Sequence, residues 1–157
     1  MTPDRATVRR AIPDDAPALA ALRFEFRAEE RTLAETQDEF VARCDTWMQR
    51  ALVERERWAA WVAEIDGRAV GCAWAQRIEK LPNPTAEPET HVYVTSVFVQ
   101  PAHRGRGIGE RLVRSALAWA ETHDVDSIIL WTRERSRPLY ERLGFTSAPT
   151  ILERVRS

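Results

Sequence analysis

Between residues 104 and 109 the chain reads R-G-R-G-I-G, with Gly105, Gly107 and Gly109 placed where a helical pattern is about to begin. A helix start carries unpaired backbone N–H groups and about half a positive charge, so it attracts anions. Glycine removes the Cβ atoms that would hold a phosphate away from the backbone. Arg104 and Arg106 add charge-assisted donors. These residue types at this spacing suit a phosphate or a pyrophosphate. They do not make a P-loop, because no Lys-Ser/Thr pair follows the last glycine. Nor do they make a dinucleotide fingerprint: the third glycine comes one place early, and no clear ribose-binding acid ends the next strand. Taken alone, the turn also fits solvated arginines and no ligand.

The elements that must position this turn follow from periodicity. Residues 6–12 alternate as a first strand, which Pro13 ends, and Asp14 or Asp15 can cap a helix with Leu19, Leu22 and Phe26 on its apolar face. A second helix fits residues 34–55, with Phe40, Cys44, Trp47, Ala51 and Leu52 near a 3.6 period. Asp66-Gly67 marks a hairpin between two strands. Residues 80–90 hold three prolines and form a loop long enough to suggest function. A strand over 91–99 leads into the Gly-rich turn and a helix over about 108–122. Residues 126–131 read as a strand buried on both faces, residues 136–145 as a short helix stopped by Gly144, and residues 150–155 as a last strand. The predicted fold class is α+β, a mixed sheet with helices on it, in the order β-α-α-β-β-β-α-β-α-β over one domain, 1–157.

Composition narrows the function. Of the 157 residues, 44% are apolar and 30% charged, and 23 Lys plus Arg against 24 Asp plus Glu leave a net charge of −1. That argues against a nucleic-acid binder, whose footprint is a basic excess. No apolar run approaches the ~20 residues of a membrane span, so no membrane partner is expected. Cys44 and Cys72 form no metal-ligand spacing. The expected location is a reducing, cytoplasmic compartment, since no apolar leader is visible at the N-terminus.

Context then specifies the turn. Val97-Phe98-Val99, Pro101 and R-G-R-G-I-G, followed by an amphipathic helix, resemble the acetyl-CoA-binding motif of the GCN5-related N-acetyltransferases, (Q/R)-x-x-G-x-(G/A), matched by Arg104, Gly107 and Gly109. About thirty residues later P-L-Y-E-R-L-G-F, at 138–145, is similar to that family's second block, and T-V-R-R-A-I-P-D-D-A-P-A-L-A-A-L to its opening strand and helix. The likeness is specific over 91–145 and weak over 31–90. It implies a GNAT-type central, mostly antiparallel sheet flanked by helices, and acetyl-CoA as co-substrate with no metal. The pyrophosphate would rest on amides from Gly105 through Arg106, Gly107, Ile108 and Gly109 to Glu110, and the pantetheine arm along Val97, Phe98 and Val99. An amide near Phe98 would meet the oxyanion of the transition state.

The resemblance makes Tyr140 the general acid for the leaving thiolate; free phenol and thiol have pKa values of about 10 and 8.5. The base stays open. His91, Tyr93 and Thr95 would share one strand face with Val97 and line an acceptor channel unless a bulge intervenes, and Glu25 and Glu29 are alternatives. Arg133, with Arg135 and Arg137, and Ser136 stand where the family contacts CoA, although solvated arginines fit as well. Cys72 reads as a small buried side chain, and Trp47, Trp58, Trp61 and Trp74 mostly as core. The implied function is transfer of acetyl from acetyl-CoA to a primary amine of a small molecule or peptide; acids such as Glu25, Glu29, Glu30, Glu35, Asp38, Glu39, Glu79, Glu87 and Glu89 favour a cationic one. The alternative is a non-catalytic acyl-CoA-binding sensor. A homodimer follows from the resemblance alone.

Overall fold

Asp66 and Gly67 take left-handed backbone, φ 50° and 75°, as a two-residue hairpin turn requires. In the computed structural model, which describes residues 5–156, they join β2 (Trp58–Ile65) to β3 (Arg68–Glu79). β1 (Thr7–Arg10) pairs antiparallel with β2, β3 antiparallel with β4 (Thr90–Val99), and β4 parallel with β5 (Ser127–Ile129). The sheet order is therefore β1-β2-β3-β4-β5. The single parallel pair needs a crossover, supplied by α3 (Ile108–Glu121). The expected mixed, mostly antiparallel sheet flanked by helices is what forms. Residues 1–4 and 157, the ends of the expected domain span, lie outside the described residues.

Two helices cover one face of the sheet. α1 (Ala16–Ala28) and α2 (Gln37–Val53) bury Leu19, Leu22, Met48 and Leu52 against Ala60, Cys72, Trp74 and Phe98. On the other face α3 buries Ile108, Leu112, Ala116 and Trp119 against Ala59, Trp61, Ala73, Val92 and Val94. Alanines in the central strands keep these contacts close. Truncating Leu19 or Leu112, both fully buried, would cost about 2–5 kcal/mol. Thr36 starts α2 through a reciprocal pair: its Oγ1 accepts from Glu39 N at 3.3 Å, and Glu39 Oε2 accepts from Thr36 N at 2.9 Å.

Three expectations change. Residues 150–155 form no strand, and Ile151, Leu152 and Val155 are exposed; their sequence does not alternate, and a three-residue β5 presents little edge to pair with. For the same reason β5 is half-buried rather than buried on both faces. Asp15 does not cap α1. Its carboxylate accepts from Ile12 N at 2.8 Å and pairs with Arg9 at 2.7 Å, opening a short 3-10 turn at Pro13–Asp15 ahead of the helix. The helix α4 (Arg137–Arg142) ends as expected just before Gly144, whose φ is 95°.

Candidate active site

The site begins where a strand pair stops. β4 and β5 pair only from His91–Ser127 to Tyr93–Ile129, while β4 runs on to Val99. The strands part there, and a cleft of about 610 Å³ opens between them, walled by α1, the Gly-rich turn and α4.

A bulge sets which side chains face it. Cys72 pairs with Phe98 and Trp74 with Thr95, so Ala73 alone opposes Ser96 and Val97. Ser96 takes φ 53°, costly for a residue with a Cβ. The extra residue reverses the alternation. Before it, Val92 and Val94 pack toward α3; after it, Val97 and Val99 do, and Phe98 turns to the α1 side. Val97 therefore does not share a face with His91, Tyr93 and Thr95, as the bulge-free alternation required.

Ladder alternation narrows which amide near Phe98 is free. Gln100 N donates to Val70 O at 2.8 Å, so the backbone of Phe98, two residues earlier, is directed at β3, and that of Val99 at the open edge. The Val99 carbonyl there accepts from Arg104 Nε at 2.8 Å. An amide free for a ligand flanks Phe98 rather than belonging to it.

At the turn, Gly105 and Gly107 have φ 78° and 77°, and a Cβ built on either meets nothing within 4 Å. The space over the start of α3 is open, and Gly107 is its N-cap. Gly105, Gly107, Ile108, Gly109 and Glu110 all line the cleft; Arg106 is exposed and does not. The donor set suits a diphosphate: bare backbone, a helix N-terminus and arginines beside it.

Those arginines converge on one carboxylate. Glu29, at the end of α1, pairs with Arg104, with Arg133 at 3.0 Å and with Arg135 at 2.9 Å. Arg133 also reaches Glu30 at 3.1 Å and lies 4.3 Å from the Phe26 ring centroid. Desolvation pushes the Glu29 carboxyl up, but the hydrogen bonds and charges of the three arginines outweigh it and hold it below the ordinary range. Glu25 is taken by Gln100 Nε2 at 3.1 Å.

Tyr140, on α4, lines the cleft and is buried. Burial pushes its phenol up to about 12, and its ring meets Phe145 edge-on at 5.8 Å. Ser136 and Arg133 line the same wall, as do Tyr93 and Thr95 on β4. His91 lies outside it, its Nδ1 2.8 Å from Ser127 Oγ at the far end of the strand pair. The 80–89 loop contributes nothing to the lining; Lys80 ties it to Asp126 at 3.0 Å. The lining residues that sequence reasoning passed over include Arg23, Phe26, Arg27 and Trp131. The available signal for Arg23 was its place beside Leu19, Leu22 and Phe26 on the apolar stripe of α1.

Residues 20–145 match a family model described as the acetyltransferase (GNAT) family. Among curated proteins, 113 residues are 32% identical to an uncharacterized N-acetyltransferase of Methanocaldococcus jannaschii, covering 67% of this chain and 46% of that protein. Over 88 residues the chain is 34% identical to mycothiol acetyltransferase of Thermobispora bispora, covering 54% and 29%. The chain spans less than half the length of the curated relatives it matches. A GCN5-related N-acetyltransferase of Ralstonia eutropha superposes with TM-score 0.76 at 24% identity, covering 96% of this chain and 98% of that one. The aminoglycoside N-acetyltransferase AAC(6')-Iy, solved in complex with CoA, gives 0.72 at 19% identity, covering 98% and 96%. At these identities the structural likeness is one of fold.

Proposed function

The chain belongs to the GNAT acetyltransferase family, and from that premise we propose that it transfers the acetyl group of acetyl-CoA to a primary amine of a small molecule or peptide. One observation carries the reading: β4 and β5 part beside a glycine turn whose open side faces the start of α3, with Tyr140 on the wall of the same gap. A flexible thioester arm with a diphosphate at one end has that outline.

The roles follow from position. Amides at the start of α3, with Arg104 and Arg133, hold the diphosphate. The open edge at Val99 pairs with the arm as an added strand would. The amine nitrogen attacks the thioester carbonyl, the new C–N bond forms as C–S breaks, and the electron pair leaves on sulfur. Tyr140 donates a proton to that sulfur, the amine nitrogen releases one to solvent, and the phenol is reprotonated from there. Because burial raises the Tyr140 phenol to about 12, it enters the step neutral and acts first as a hydrogen-bond donor to the developing thiolate. No acyl-enzyme is needed, and Cys72, fully buried, is not a nucleophile. A single domain in a reducing, cytoplasmic compartment goes with this reading, and both cysteines are free.

Thermal stability with acetyl-CoA, CoA, NAD and ATP tests it. Ligand at a hundred times its dissociation constant stabilises by about 2.7 kcal/mol, several degrees of Tm for a chain this long. A shift with acetyl-CoA and CoA alone is the expected result. No shift with either, in folded protein, ends the reading.

A further inference from the structure

Six arginines stand along the cleft, and they are not alike. Arg104, Arg133 and Arg135 are held by Glu29, and Arg142 lies 3.9 Å from Glu110. Arg23 and Arg27, one turn apart on α1, have no carboxylate partner among the described residues; Arg23 has only the Phe26 ring, 5.7 Å from its guanidinium carbon. Arg23 is partly buried. Desolvation first, and then the charge of Arg27, pull its pKa down. A desolvated guanidinium without a counter-ion is unfavourable, and an arriving oxyanion relieves it.

Charge pairing separates this pair from the diphosphate arginines. The electrostatic neighbours of Arg23 are Cys72, Cys44 and Tyr93, whereas Arg104 is fastened to Val99. Arg23 and Arg133 share the Phe26 ring, at 5.7 and 4.3 Å, but only Arg133 has a carboxylate among the described residues. The cleft thus holds one set of arginines neutralised by Glu29 and Glu30, and beside it on α1 a pair that is not.

We propose that Arg23, with Arg27 behind it, binds an oxyanion of the acceptor, so that the amine acetylated carries a carboxylate or a phosphate. The inference rests on the acetyltransferase reading and names its substrate class. It reverses the cationic acceptor that the acids of the sequence favoured, because of those acids only Glu30 lines the cleft and it is paired with Arg133, while Glu29 is paired with arginines, Glu35 with Arg43 and Glu87 with Lys80.

The test measures CoA release from acetyl-CoA with acceptors paired to differ in one charge: β-alanine against β-alaninamide, phosphoethanolamine against ethanolamine, with spermidine as the cationic amine. Wild type is expected to prefer the anionic member of at least one pair, and which pair identifies the oxyanion. Arg23→Gln is expected to lower kcat/KM for that member about 10- to 100-fold, the range of a charged hydrogen bond, chiefly through KM. It leaves the neutral member unchanged, and Arg23→Lys keeps part of the preference. Equal use of both members, preference for spermidine, or an equal loss on both members overturns the inference. Where turnover with every acceptor is low, Tm in saturating CoA decides: glutamate or phosphate raises it in wild type but not in Arg23→Gln, and equal behaviour of the two proteins overturns the proposal. Calorimetric titration with CoA separates the levels. Normal CoA binding without anion discrimination removes this inference alone, whereas no CoA binding in wild type removes the acetyltransferase reading beneath it.

Discussion

Glu29 and Arg133 meet across the mouth of the cleft, Oε2 to Nη1 at 3.0 Å, and so join the end of α1 to the segment that follows β5. The same carboxylate takes Arg104 and Arg135. One negative charge therefore occupies three donors that a diphosphate also wants. Glu29→Gln is expected to tighten CoA binding several-fold and steepen its salt dependence, as calorimetry at two ionic strengths would read. The stability lost should be at most about 1 kcal/mol, because the pairs face solvent. Its carboxyl is held low when folded, so this contribution is present above the ordinary carboxylate range and disappears as pH falls through the folded value. Unchanged CoA affinity in Glu29→Gln would mean that the arginines do not serve the diphosphate.

Tyr140→Phe removes a hydroxyl and little packing. We expect kcat to fall about a hundredfold or more, with the Kd for CoA within twofold of wild type. With the phenol pushed up to about 12, wild-type activity should show no alkaline limb from this group below about pH 11. Equal turnover in the variant would point to a water or another donor, and CoA binding without turnover in the wild type to a sensor.

The turn separates conformation from ligand space. At Gly107, φ is 77° with nothing near a built Cβ, so Gly107→Ala costs about 1 kcal/mol of backbone strain without a clash. That Cβ stands in the open space over the turn, and CoA affinity is expected to drop at least tenfold while the fold survives. A melting curve beside a binding isotherm distinguishes the two effects.

Ser96 offers a paired substitution. Its Oγ is buried without a partner among the described residues, so Ser96→Ala should be neutral or slightly stabilising. Ser96→Val places a β-branched side chain at φ 53° and should cost about 1–3 kcal/mol. Urea unfolding of both variants checks this; similar stabilities would argue against the bulge.

Cys72 is fully buried, and its S–H donates to Ser96 O at 3.4 Å. Burial pushes the thiol up to about 12. In native protein a thiol reagent should modify Cys44 and leave Cys72 untouched. The unfolded chain ionises this thiol first, at about pH 8.5, while the folded one holds its proton. Stability is therefore full below that pH and falls as pH rises toward 12. Between pH 8 and 10 the loss should be on the order of 1–2 kcal/mol, and Cys72→Ala should remove most of it.

The sequence by itself determined the local chemistry. Asp66-Gly67 and the glycines before α3 each act through their own backbone preferences within a few residues, and such signals survive without knowledge of the fold. The two family-like blocks likewise pointed to the turn and to Tyr140. Tertiary structure decided what depends on partners distant in the chain. The bulge at Ser96 arises from pairing with β3, and it alone turned Val97 away from Tyr93 and Thr95. The last strand failed because β5 is too short to offer it an edge. Charge shows the limit most clearly. Acids and arginines are equally visible in the sequence, but which are neutralised depends on contacts such as Glu29 with Arg135, 106 residues apart, and only folding reveals that Arg23 is left without a counter-ion among the described residues.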